Sequence, residues 1–118
     1  MKKEKLSEKL KRLSDELIEF IYPLTLDFPP EERYCLADQI RRSSLSVPSN
    51  IHEGLSRISD GDKRRFMILS QSSLSELKYQ VYFARKRDYI TIDTYRMFRK
   101  KSLRLSRLLG GFIKVLDS

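Results

Sequence analysis

One cysteine, one histidine and no tryptophan in 118 residues exclude several chemistries at once. A lone Cys35 has no partner for an internal disulfide, which fits a reducing cytoplasm. With a single Cys and a single His there is no structural zinc set, since such sites take about four ligands. The chain has no glycine-rich phosphate loop, no Walker motif and no dinucleotide fingerprint. Its many serines never stand in a G-x-S-x-G turn. His52 and Glu53 form the one acid/base-like pair, but adjacent helical residues point about 100° apart and do not share a substrate. These absences predict no metal, no cofactor and no catalysis. No stretch of eighteen apolar residues occurs, so no membrane span is expected. The opening Met1-Lys2-Lys3-Glu4-Lys5 leads into alternating charge rather than an apolar segment, unlike a secretory signal. The expected location is therefore the cytoplasm.

Proline and glycine are also scarce, at four each, in a chain dominated by Leu, Lys, Arg, Ser and Glu. That composition suits helices. The length suits one domain, residues 1–118, with room for a core but not for a second lobe. Acid is missing where it would matter most. Residues 1–60 hold 10 Lys/Arg against 11 Asp/Glu, whereas residues 61–118 hold 14 against 5, and the net charge is +8. A basic half beside a balanced half points to one surface that faces a polyanion. A merely basic, soluble surface is the competing reading.

The apolar periods lay out four helices. Leu6, Leu10, Leu13, Leu17, Phe20 and Leu24 make a heptad-like seam over about Leu6–Leu26, with mixed charges such as Glu8 and Arg12 outside. Pro23 should bend or end that helix. Asp27-Phe28-Pro29-Pro30 reads as a loop with Phe28 as its plug, and Pro30 or Glu31 can open the second helix. Asp60 or Asp62 is the expected cap of a third helix that runs to about Arg87. That helix has a core stripe (Met67, Ser70, Leu74, Leu77, Val81, Ala84) and a second stripe of Ile68, Ser72, Ser75, Tyr79 and Tyr82. A helix apolar or small on two faces touches more than its own bundle, so the second stripe is expected at a subunit interface. A wide monomer core, or tyrosines that stack on bases, are the alternatives. Thr91 is a credible cap for the fourth helix, whose apolar line is Tyr95, Phe98, Ser102, Leu105, Leu109, Phe112 and Leu116. Opposite it lie Arg96, Lys100, Arg104, Arg107 and Lys114, flanked by Arg99 and Lys101, and no acid occurs over residues 94–116. Gly110-Gly111 should weaken this helix and leave residues 112–118 as a final turn or docked tail.

The second helix is organised around Arg41-Arg42-Ser43-Ser44-Leu45-Ser46-Val47-Pro48-Ser49-Asn50-Ile51-His52-Glu53-Gly54. Leu36, Ile40, Ser43, Val47, Ile51 and Gly54 keep helical phase through Pro48, which predicts one bent helix to about Arg57 rather than two short ones. Pro48 orphans the Ser44 carbonyl, and neighbouring serine hydroxyls are candidates to satisfy it. Asn50 and Glu53 are expected to share a polar structural site at the bend, and Gly54 to admit a close helix. This stretch, with Phe28-Pro29-Pro30-Glu31-Glu32-Arg33-Tyr34 before it, resembles the bacterial four-helix bundle family that includes proteins encoded in intervening sequences of 23S rRNA genes. Phe66, Leu74-Ser75-Glu76-Leu77 and the basic last helix extend the resemblance loosely to the whole chain.

The resemblance implies an all-α, antiparallel up-down four-helix bundle with a proline-bent second helix that assembles as a ring-like homopentamer, with no known catalysis. A relative, the accessory protein of diversity-generating retroelements, binds nucleic acid and a reverse transcriptase. The combined expectation is a non-catalytic homo-oligomer that binds nucleic acid, structured RNA in particular, through the basic face of the last helix. The alternative is a scaffold that docks an acidic or nucleic-acid-bound partner protein. A helix-turn-helix repressor is disfavoured, because helices three and four are long and lack a short glycine turn between them.

Overall fold

The computed structural model describes residues 4–117, and the opening Met1-Lys2-Lys3 therefore lies outside the described residues. Four helices follow one another: α1 Leu6–Ile21, α2 Leu36–Leu55, α3 Asp60–Lys86 and α4 Ile92–Asp117. Each packs on the next, and α4 returns to α1, so the four close around a single core. Among the described residues there is no strand. This is a four-helix bundle.

The heptad seam of α1 buries Leu10, Leu13 and Leu17, but the helix ends at Ile21, five residues short of expectation. Pro23 is the reason, since it cannot continue the ladder. The chain tightens into a 3-10 turn over Pro23–Asp27, which moves Leu24 to a half-buried flank of the core. A second short 3-10 turn spans Pro30–Glu32. The second helix therefore begins at Leu36, not at Pro30 or Glu31, because Cys35 (φ −118°, ψ −106°) breaks the helical path. Phe28 is buried beneath this loop, with its ring 5.3 Å from that of Tyr89.

Pro48 sits inside α2, and helical structure continues through it to Leu55. The nearby hydroxyls do not turn to the Ser44 carbonyl. Ser44 Oγ donates to the Arg41 carbonyl at 2.9 Å, and Ser46 Oγ meets Ser73 Oγ of α3 at 2.7 Å. Ser70 Oγ donates to the Val47 carbonyl at 2.8 Å, which ties α3 directly to the proline turn. These bonds satisfy buried hydroxyls that would otherwise each cost about 1–3 kcal/mol. Beyond the proline, α2 and α3 press together at Gly54. A Cβ there would lie 2.7 Å from Met67 Cε and 2.8 Å from Phe66 Cβ, so the close approach requires glycine.

The cap of α3 is Ser59, whose Oγ accepts from the Asp62 amide at 3.1 Å. Asp60 and Asp62 instead occupy the first turn, where their charge suits the helix dipole. The predicted core stripe of α3 is buried throughout. At the other end the Asp88 amide bonds the Arg85 carbonyl and the Tyr89 amide bonds the Ala84 carbonyl. That is a Schellman ending with Asp88 at the left-handed position, φ 61°. Thr91 then caps α4 as expected, its Oγ1 accepting from the Thr94 amide at 3.1 Å. Gly110-Gly111 does not interrupt α4, which runs on to Asp117. Phe112, Ile113 and Leu116 pack on the core and hold the last turns helical against the glycine penalty, while Ser118 lies outside the described residues.

Candidate functional site

The α4 helix places its apolar line inward: Phe98, Ser102, Leu105 and Leu109 are buried. Helical periodicity then leaves Arg96, Lys100, Arg104, Arg107 and Lys114 exposed on the far side, in a row about 27 Å long at 1.5 Å per residue. Among the described residues only Arg96 of these five has an acid within 4 Å, Asp93 at 3.9 Å, and both side chains are largely in solvent. Arg99 joins the row at its edge, exposed. Lys101 does not, because it turns toward α1 and lies 5.5 Å from the Phe20 ring centre. The field of Arg104 reaches the carboxyl of Glu4, just ahead of α1, although the two are not within ion-pair distance. The surface can thus offer a run of solvated cations with little local neutralisation.

A groove of about 1060 Å³ opens beside this row, between α3 and α4. Lys78 is its one lining residue from α3; the rest come from α4, among them Arg96, Arg99 and Lys100 and the apolar Tyr95 and Leu103. Lys78, Tyr95 and Leu103 were not among the residues expected at a site. Lys78 is a single charge on α3, and only the register of α3 against α4 brings it to this row.

The acidic counterpart lies between α1 and α2. Glu8, Asp15, Glu16, Glu19 and His52 line a shallower groove of about 530 Å³. There the charges pair. Arg12 bonds Glu4 through Nε and a terminal nitrogen at 3.0 and 2.9 Å, and Glu16 at 3.0 Å, rather than Glu8 as the sequence suggests. Glu8 meets Lys11 at 3.8 Å instead. The Arg12 hydrogen bond holds the Glu4 carboxyl below its usual range, and the two carboxylates push Arg12 above its own. His52 is exposed, as expected of it, and has no arrangement with Glu53.

The second stripe of α3 is exposed along its length: Ile68, Ser72, Ser75, Tyr79 and Tyr82 all face solvent. Tyr79 is 66% exposed and its ring centre lies 6.3 Å from that of Tyr82. Leu69 and Phe83, both exposed, widen the stripe beyond the residues expected. The proline motif separates into distinct tasks. Asn50 Nδ2 donates to the Ser46 carbonyl at 2.9 Å and to Ser46 Oγ at 3.1 Å, steadying the turn before Pro48. Glu53 instead takes Arg57 one turn later, so Asn50 and Glu53 share no site. Arg57 and Arg65 then lie against the Phe66 ring at 4.7 and 4.5 Å. Among the described residues no group of three or more His, Cys, Asp and Glu side chains could hold a metal ion. No helix there is long and apolar enough to cross a membrane.

Fold and surface together define a class: a four-helix bundle with one exposed cationic helix face. Residues 7–111 match the family model described as 23S rRNA-intervening sequence protein, and the chain belongs to that family. Its fold is similar to a crystal structure of a protein of unknown function from the S23 ribosomal protein family of Bacteroides thetaiotaomicron VPI-5482. The TM-score is 0.83 at 22% identity, over 93% of this chain and 99% of the other. No curated protein matches the chain.

Proposed function

We propose that this protein is a non-catalytic, homo-oligomeric nucleic-acid-binding bundle that takes RNA phosphates along the exposed face of α4. The observation that carries the reading is the row Arg96, Lys100, Arg104, Arg107 and Lys114, solvated and almost without acid nearby. Several cations elsewhere on the molecule are paired with acids: Arg12 with Glu4 and Glu16, Arg42 with Asp38, Arg57 with Glu53, Arg64 with Asp117. A row of this kind binds phosphates by counterion release, with little base preference. The exposed stripe of α3 supports self-association, since tyrosines supply contact area and Ser72 and Ser75 permit close packing. A ring, five-membered by family resemblance, would repeat the α4 face and raise avidity without any new kind of contact.

The test is a binding titration against a structured rRNA fragment and a random DNA duplex over a range of salt. The expected result is a log–log slope of roughly −4 to −5 per engaged α4 face on the duplex. An RNA preference at physiological salt would tie the protein to rRNA. Absence of binding at low salt would overturn the reading and leave α4 as a docking face for an acidic protein.

A further inference from the structure

The geometry points to the α3–α4 groove as a seat for unstacked nucleotides of single-stranded RNA, with bases against Tyr95 and Leu103 and phosphates on Lys78, Arg96, Arg99 and Lys100. The inference rests on the nucleic-acid reading of α4 and adds to it which form of RNA the surface prefers. Three observations combine. First, the groove is lined by apolar side chains beside an otherwise cationic row. A duplex offers its phosphates outward and its bases inward, so it would meet the row but leave the lining unused. A single strand carries both a charged backbone and free aromatic faces, and such chains bind where cations border stacking surfaces.

Second, both helices bring cations to the groove, Lys78 alone from α3 and Arg96, Arg99 and Lys100 from α4. Among the described residues, Lys78, Arg99 and Lys100 have no acid within ion-pair range, and Asp93 is the acid that borders the groove. Third, the charge continues beyond the groove through Arg104, Arg107 and Lys114 with no acid between Asp93 and Asp117. A chain that carries one negative charge per monomer matches such a track along its whole length. An acidic helical peptide of similar charge density would be weakened by its own like-charge i,i+4 pairs. Charge complementarity thus favours a polyphosphate strand over a protein segment.

The experiment compares a fluorescein-labelled oligouridine of about ten nucleotides, within the span of known single-strand sites, with an RNA duplex of equal phosphate count. Three proteins are titrated: the parent, Tyr95→Leu, which keeps an apolar filler at a half-buried position, and Leu103→Gln on the open rim. Circular dichroism checks that each is folded. The expected result is tighter binding of the single strand by the parent, with Tyr95→Leu weakening it by about fivefold or more, as loss of an aromatic stacking contact does, and Leu103→Gln weakening it by less. Duplex affinity should stay within about twofold, because the phosphate row is intact. Equal parental affinity for both forms, or variants that weaken both alike, would overturn the groove while leaving the α4 row standing. If the parent binds neither RNA but an acidic peptide binds and Leu103→Gln weakens it, both readings fall and the groove belongs to a protein partner.

Discussion

Helices α1 and α4 are built on the same plan and carry opposite electrostatics. Each has a heptad-like apolar line toward the core and charged residues outside. On α1 the charges are mixed in sign and pair, Arg12 with Glu16 one turn on and with Glu4 just before the helix. On α4 five exposed cations follow one another, and only Arg96 has an acid within 4 Å, Asp93. Burial alone requires neither arrangement, since either outer face keeps a helix soluble. The α1 pattern is what a helix needs to be stable in water. The α4 pattern is a like-charge row that gains nothing from its neighbours, and a polyanion relieves it.

The comparison breaks most sharply if the α4 row is reversed. Arg96, Lys100, Arg104 and Arg107 changed together to Glu should lower polyanion affinity by at least about 100-fold. Circular dichroism should be unchanged, because all four side chains are exposed; retained binding would move the site off α4. The next largest effect concerns repetition of the row. Tyr79→Asp with Tyr82→Asp should lower the mass in solution, read by light scattering, and reduce affinity by about tenfold or more through lost avidity. An unchanged mass would refute the α3 interface. A third change gives α1 the charge of α4: Glu8→Lys, Asp15→Lys and Glu19→Lys should raise affinity for a generic duplex by only about three- to tenfold. A larger rise would mean that total charge, not the α4 geometry, governs binding.

The smallest effect lies in the α1 network. Because the Arg12 hydrogen bond lowers the Glu4 carboxyl, the ionised form is favoured in the folded chain. Its contribution to stability is therefore present at neutral pH and is lost as pH falls through the lowered value. Glu4→Gln should be slightly less stable than the parent near pH 7, with the gap closing in acid. A gap that stays constant with pH would assign the effect to packing instead.

Much of this architecture was legible in the residues. Helical phase through Pro48 correctly indicated that α2 continues, since a missing donor at one turn is weaker than the burial of Val47 and Ile51 on either side. Gly54 and the Thr91 cap were readable because each answers a local need. Errors fell where two local signals competed. Pro23 outweighed the continuation of the α1 seam, and burial of Phe112 and Leu116 outweighed Gly110-Gly111. Asp60 and Asp62 were equally good caps by composition, but Ser59 holds the bond. Asn50 and Glu53 were close in sequence and separate in partners, because Arg57 lies within one turn of Glu53. The site was half legible. Periodicity located the α4 row, whereas the groove beside it depends on the stagger of α3 against α4, and no pattern within one helix reports that.

The placement of the two charged faces has a kinetic consequence. The acidic groove is built mainly on α1 and the basic groove mainly on α4, two helices that pack side by side, so the protomer divides its charge between neighbouring faces. In the field of a polyanion it would rotate before it touches, with the α4 face turned toward the polyanion and the α1 face turned aside. Encounters would then begin in a narrow range of orientations, and their rate would fall steeply with ionic strength while the lifetime of the bound state depended on the contacts made afterward.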